Sequence, residues 1–245
     1  MKLADNKKTV IFIEDSAFEG VKRVASKVAV DIEKVTGSRP EIVNSLDGED
    51  KANTQVIFCA TVRKSAMLQK LAGEDLLPAD VENKREVYAI KMLSQVEGFE
   101  EMLVIYGSDK RGTIYGMFAL SEYIGVSPLC YWGDVEPVKN PEMIIGKEIE
   151  VVSKEPSVRY RGFFINDEQP CLGNWAKEKF GSHKPTPELY EHIFELLLRL
   201  KGNYLWPAMW SASFPLDGPG LANAELADTY GVVMGTSHHE PCLRA

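Results

Sequence analysis

The chain has 245 residues, of which 44% are hydrophobic and 26% charged, so it can bury a sizeable core in one large domain or two ordinary ones. Its formal net charge is -8 and no basic stripe runs along it, which argues against a nucleic-acid partner. No run of about eighteen apolar residues occurs, which argues against a membrane-spanning helix and a membrane partner.

The start of the chain bears on its compartment. Segment 1–8 is polar, with no apolar stretch behind a basic start, so no signal peptide is predicted and the expected location is cytoplasmic. A chain from which a leader had been removed would look the same, so a periplasmic or secreted location is the alternative.

Residues 1–154 are predicted to form an amino-terminal α/β domain. Strand-like runs cover 9–13, 55–60, 87–93 and 103–106, and helical patterns cover 17–36, 65–71 and 114–124. Ser16 and Glu19 have the spacing of a capping box, and Gly37 is expected to end the first helix. This alternation of strands and helices is typical of an α/β sandwich of two or three layers.

The segment 107–113, Gly-Ser-Asp-Lys-Arg-Gly-Thr, lies between a predicted strand and a predicted helix, where phosphate-binding loops occur. It lacks both the GxxxxGK[ST] and the GxGxxG arrangement, and Asp109 would lie where phosphate charge must go. We therefore expect no nucleotide site. Asp109 to Arg111 are instead predicted to bind the backbone and to fix the turn from strand to helix.

The part after residue 155 repeats the strand and helix pattern at a tighter spacing. Strands are predicted at 159–165, 203–206 and 231–234, the first of them buried, and helices at 187–200, with Thr186 as N-cap, and at 223–229. The apolar face of the first helix is predicted to contain Leu189, Ile193, Leu196, Leu197 and Leu200. This order implies parallel strands joined by right-handed crossovers. Three strands are too few to close a barrel, so they belong either to part of one or to a small open sheet.

Polar and aromatic residues follow each of these three strands. They are Asn166, Asp167 and Glu168 after the first strand, Trp206 and Trp210 at the second, and His238, His239 and Glu240 after the third. Because the carboxyl ends of parallel strands meet at one edge of a sheet, these side chains are expected to converge. Aromatic rings that face pyranoses, together with carboxylates and amides, are the parts of a sugar site, and paired carboxylates hydrolyse glycosides.

Each feature also has a structural interpretation. Asp167 or Glu168 could bind nearby backbone amides, and the two tryptophans could fill a barrel interior, because indoles bury much surface. His238 and His239 are adjacent, so on an extended strand their side chains point to opposite faces and at most one reaches a common site. This spacing argues against a two-histidine metal site, and no metal or cofactor is expected. The four cysteines have no CxxC spacing and are predicted to be ordinary thiols.

Three long segments of the sequence closely resemble glycoside hydrolase family 115. They are 155–168 (EPSVRYRGFFINDE), 194–210 (FELLLRLKGNYLWPAMW) and 230–241 (YGVVMGTSHHEP), and the stretches 108–116 and 121–128 are similar to the family's amino-terminal domain. These enzymes are xylan α-1,2-glucuronidases, which remove glucuronic acid or its 4-O-methyl ether from xylan. The resemblance implies an α/β sandwich followed by the first three β/α units of an incomplete TIM-type barrel, over 1–154 and 155–245.

The resemblance also implies a substrate and roles for particular residues. The expected partners are glucuronoxylan or aldouronic acid oligosaccharides, hydrolysed by an inverting mechanism with two carboxyl groups roughly 6.5 to 9.5 Å apart. Asp167 would contact the transition state or support acid/base catalysis, and Trp210 would be the ring platform. Asn166, with His238 or His239, would bind sugar hydroxyls.

The sequence departs from the family in two respects. Relatives typically carry Asp-Asp-Pro where this chain has Asp217-Gly218-Pro219. The family's principal catalytic carboxylates lie further along than Ala245, so the chain is expected to be inactive alone, and a homodimer is considered only for the full-length protein. Two other functions are alternatives: a metal-dependent hydrolase that uses Asp167, one histidine and Glu240, and a non-catalytic carbohydrate-binding module.

Overall fold

The computed structural model describes residues 1–74, 76–78, 81–166, 171–207 and 212–235. The chain divides into two compact units, Met1–Ser157 and Val158–Ala245. Both contain strands and helices, so the predicted α/β class is confirmed. Within the described residues, no helix combines the length and the apolar character that crossing a membrane would require.

The first unit is built on a six-stranded mixed sheet. Its strands are β1 (Lys8–Phe12), β2 (Glu41–Val43), β3 (Thr54–Thr61), β4 (Tyr88–Val96), β5 (Phe99–Gly107) and β6 (Glu150–Val152), and its helices are α1 (Glu19–Thr36), α2 (Ala66–Gly73) and α3 (Lys110–Tyr123). The strand order is β2-β1-β3-β5-β4-β6. The first four strands in this order are parallel, and β4 is antiparallel to both of its neighbours.

Apolar residues cover both faces of this sheet. On one face, Val56, Phe58 and Val104 pack in a single core with Leu68 and Leu71 of α2. The residues between them point the other way, and α1 and α3 pack together on that second face. Both faces are therefore covered by helices, which explains why the central strands read as continuous apolar runs.

The sequence located most of these elements but misjudged two helix starts, since α3 begins at Lys110 and not at 114. Helix α1 begins at Glu19 and has Phe18 as N-cap without a side-chain cap bond, because the Ser16 hydroxyl donates to the carbonyl of Lys64 instead (2.6 Å). The capping-box prediction was therefore wrong. Gly37 does end the helix in the left-handed conformation, with a φ of 82°.

Asp109 joins two segments at the start of α3. One of its carboxylate oxygens accepts from the Gly112 amide (2.8 Å), and the other accepts from the Glu86 amide (2.9 Å). The prediction that Asp109 fixes this turn through the backbone is confirmed. Arg111 forms an ion pair with the buried carboxylate of Glu86, on the same segment that Asp109 binds.

The second unit contains a three-stranded parallel sheet and three helices. Its strands, in the order β7-β8-β9, are β7 (Gly162–Phe164), β8 (Tyr204–Trp206) and β9 (Val233–Met234), and its helices are α4 (Cys171–Phe180), α5 (Pro187–Arg199) and α6 (Ala222–Tyr230). Its core combines Leu205 of β8 with buried residues of α5 and α6. This core fixes one face of the sheet against the helices.

Two predictions for this unit need correction. The first strand was expected to be buried, but Phe164 is 39% exposed, since β7 is an edge strand and its side chains are not covered by the described residues. The residues of α5 that are buried also differ from the predicted apolar face. Leu200 lies beyond the helix end and is 52% exposed, while Tyr190 and Phe194 are buried in the core.

The cysteines occupy different environments. Cys59 is buried in β3, where desolvation raises the pKa of its thiol to about 12. Cys171 is exposed at the start of α4, Cys130 is partly exposed, and Cys242 lies outside the described residues. Because the thiolate is the reactive form, we expect Cys59 to react much more slowly than an exposed cysteine in the folded protein.

We predict that Asp109→Ala destabilises the first unit by about 2 kcal/mol, because it removes a helix cap and leaves two amides without their acceptor. Asp109→Asn should cost less, since its single carbonyl oxygen retains one of the bonds. Urea unfolding followed by circular dichroism measures the change. The exposed Asp47→Ala serves as control, and an equal loss in both variants would contradict the role of Asp109.

A second prediction concerns thiol reactivity at pH 8. Iodoacetamide should alkylate Cys171 in the native protein and leave Cys59 unmodified until denaturant is added. Peptide mass spectrometry identifies the labelled residues. Alkylation of Cys59 at the rate of Cys171 in the native state would show that the β3 core is open.

Candidate functional site

The carboxyl ends of β7, β8 and β9 lie side by side. Phe164 is the register partner of Trp206, and Leu205 is the partner of Met234. Just beyond these pairs, the Ile165 amide donates to the Trp206 carbonyl (2.9 Å) and the Gly235 amide donates to the Leu205 carbonyl (2.8 Å). These bonds place Ile165 and Gly235, the first residues after β7 and β9, beside β8.

Only two of the candidate site residues lie within the described part of the chain. Asn166 is exposed and directly follows Ile165, and Trp206 ends β8. The others, Asp167, Glu168, Trp210, His238, His239 and Glu240, lie outside the described residues. Their convergence and their roles stay predictions.

An aromatic face lies on the side of this sheet opposite the helices. Leu205 is fully buried toward the helices, so its neighbours Tyr204 and Trp206 project to the other side, where Trp206 is 45% exposed. The ring of Phe164 meets the Trp206 indole edge to face, with centroids 6.2 Å apart. Tyr160 adds a further ring 5.7 Å from that of Tyr204. We call these four residues the aromatic face.

The segment where the chain departs from the family has a structural role. The fully buried carboxylate of Asp217 accepts from Lys184 Nζ (2.9 Å) and from the Ser213 amide. A Cβ atom at Gly218 would lie 2.9 Å from Cγ of the buried Asn223, whose amide donates to the Phe214 carbonyl. A second carboxylate at position 218 would therefore meet this packed amide.

Asn203 was missed by the sequence interpretation. It is 1% exposed, accepts from the Arg161 amide (2.9 Å) and donates to the Arg159 carbonyl (2.8 Å). Its own carbonyl accepts from the Val233 amide (2.8 Å). One buried side chain thus connects β8 to the segment that enters β7, and its backbone connects β8 to β9. The sequence feature that could have identified Asn203 is a polar residue directly before a short apolar strand.

The geometry above is that of parallel strands with aromatic and polar residues at their carboxyl ends, which is the arrangement of many glycoside hydrolases. Residues 153–245 match the sequence model of glycosyl hydrolase family 115. The resemblance noted in the sequence is therefore confirmed over this segment. The match covers every candidate site residue.

A solved structure of a family 115 enzyme is also similar to the chain. The chain is similar to BtGH115A, described as a family GH115 4-O-methyl-alpha-glucuronidase with specificity for decorated arabinogalactans, with a TM-score of 0.79 and 30% identity. The similarity covers 97% of this chain and 29% of that protein, so the chain spans less than a third of its length. A second structure, CpGH84D, has a TM-score of 0.47 and 10% identity over 94% of this chain and 40% of that one, which is too distant to carry an argument. No curated protein sequence matches.

We predict that Asn203→Ala destabilises the second unit by about 1 to 2 kcal/mol, since two hydrogen bonds made by a buried side chain are lost. Urea unfolding followed by tryptophan fluorescence measures the loss. The exposed Asn174→Ala on α4 removes the same group and should change the midpoint little. Equal stability of the two variants would contradict the connecting role of Asn203.

Proposed function

We propose that this chain carries part of the site of a glycoside hydrolase that releases α-linked glucuronic acid, or its 4-O-methyl ether, from a polysaccharide. The observation that carries this proposal is the similarity to a family 115 alpha-glucuronidase over 97% of the chain. In addition, all of the candidate site residues lie within 153–245, the segment that matches the family model.

The proposed architecture is an accessory α/β domain over 1–154, followed by the first three β/α units of a TIM-type barrel over 155–245. Three parallel strands in sequential order, with helices packed on one face, support it. Barrel sites draw residues from the ends of several strands, so three units provide only part of a site. We therefore expect no turnover from the chain alone.

The proposed chemistry is inverting hydrolysis with two carboxyl groups roughly 6.5 to 9.5 Å apart, one to protonate the leaving oxygen and one to activate water. Asp167 would support the acid/base chemistry, and Trp210 would stack on the sugar ring. Asn166 and one histidine, His238 or His239, would bind hydroxyls. The bond between Ile165 and Trp206 supports a position for Asn166 beside the end of β8.

Two alternatives differ from this proposal in measurable ways. A metal-dependent hydrolase would use Asp167, one histidine and Glu240, and its signature would be stoichiometric metal that survives dialysis. A carbohydrate-binding module would need only exposed rings such as Phe164 and Trp206, and it would bind an oligosaccharide without turnover. A cytoplasmic location, or another one after removal of a leader, and a homodimer of the longer protein stay predictions.

The proposal is tested by release of 4-O-methylglucuronic acid from glucuronoxylan and from decorated arabinogalactan, measured by mass spectrometry. We expect none from the 245-residue chain and release from a version extended at its carboxyl end. In the extended version, Asp167→Asn should lower the rate about 100-fold or more, because a positioned proton-transfer group is lost.

The matched control for this assay is Glu178→Gln, which also converts a carboxylate to an amide but lies exposed on α4. Its rate should equal that of the unchanged protein. If the extended version binds aldouronic acid without releasing sugar, the hydrolase assignment fails and the binding module is favoured.

A further inference from the structure

A hydrogen bond within the aromatic face fixes one indole ring. Trp206 donates its Nε1–H to the hydroxyl oxygen of Tyr204, 2.9 Å away. The two residues are two positions apart on β8, so their side chains project from the same side of the strand. Because this bond satisfies the indole N–H within β8, the orientation of Trp206 is set before any ligand arrives.

Gly235 provides the space for this pair. A Cβ atom at position 235 would lie 2.0 Å from the Tyr204 hydroxyl oxygen and 2.4 Å from Cδ1 of Trp206. Non-bonded atoms do not approach so closely, so any side chain here would displace both rings. The Gly235 amide also donates to the Leu205 carbonyl, which holds this backbone beside β8.

We propose that Tyr204 is a positioning residue that holds Trp206 as a stacking surface for a pyranose ring, in the space that Gly235 leaves. This inference rests on the proposed function, and its ligand is an oligosaccharide that bears a uronic acid. Trp206 is exposed at the carboxyl end of β8, where barrel sites form. The Tyr204 hydroxyl accepts the indole proton and keeps its own O–H to donate to a sugar oxygen.

The indole N–H resonances of the 245-residue chain test the positioning role. The chain has four tryptophans, so nitrogen labelling gives four indole signals, and Trp206→Phe identifies that of Trp206. Tyr204→Phe and Gly235→Ala should shift this signal and speed its exchange with solvent. Tyr204→Phe keeps the ring, so it remains informative if Gly235→Ala fails to fold.

The control is Tyr160→Phe, which removes a hydroxyl from the ring beside Tyr204 and should leave the Trp206 signal unchanged. An unaltered Trp206 signal in Tyr204→Phe overturns the positioning role. So does an equal shift in Tyr160→Phe, because it would show a general change of the aromatic face instead of one specific bond.

Titration with an aldouronic acid tests the ligand. Binding should move the Trp206 signal. Tyr204→Phe should lower the binding affinity about 3- to 10-fold, which corresponds to the free energy of one hydrogen bond. A response from another indole with none from Trp206 overturns this inference and leaves the proposed function standing. No response from any indole also overturns the stacking role, and the assay on the extended version then decides the proposed function separately.

Discussion

The backbone hydrogen bonds between β7, β8 and β9 determine the position of everything that can form a site in the second unit. The strands are only two or three residues long, so each hydrogen bond beyond the paired residues contributes strongly to fixing the register. The bonds of Ile165 and Gly235 extend the pairing at the carboxyl end. Asn203 performs the corresponding task at the amino end with its buried amide. A register shift of one residue would turn Trp206 toward the helices and Leu205 away from them.

The second unit keeps its polar anchors apart from its exposed rings. Asn203 lies at the amino end of β8, and the Lys184–Asp217 ion pair joins the connection between α4 and α5 to the connection between β8 and α6. These groups are buried or paired, so they maintain the scaffold and are not available to a ligand. Trp206 lies at the opposite end of β8 from Asn203. This separation of stability from function along a strand is characteristic of parallel barrels, in which the amino ends of the strands maintain the fold.

The sequence predicted the long elements of the first unit well but not the ten-residue helix α4 of the second. Physical reasons explain both the successes and other failures. β1, β3 and β5 are continuous apolar runs because helices cover both faces of their sheet. The three-residue strands β2 and β6 were missed, since their residues are mostly exposed and they depend on their neighbours for pairing. The polar residue Asn203 was missed because its partners, Arg159 and Arg161, are far away in sequence. For the site, the rule for parallel strands predicted which ends would be adjacent, but not the bond between Tyr204 and Trp206.

The aromatic face bears directly on the choice between a filled barrel interior and a sugar platform. An indole buried in a barrel needs a partner for its N–H, and an indole that stacks on a sugar needs a fixed orientation. The bond to Tyr204 would meet both needs, so it does not by itself separate the two functions. Gly235 fits both functions as well, because the hydroxyl and the indole already fill the space that a Cβ atom would need. The exposure of the ring favours the sugar platform, because a residue that fills a close-packed interior is buried, whereas Trp206 is 45% exposed.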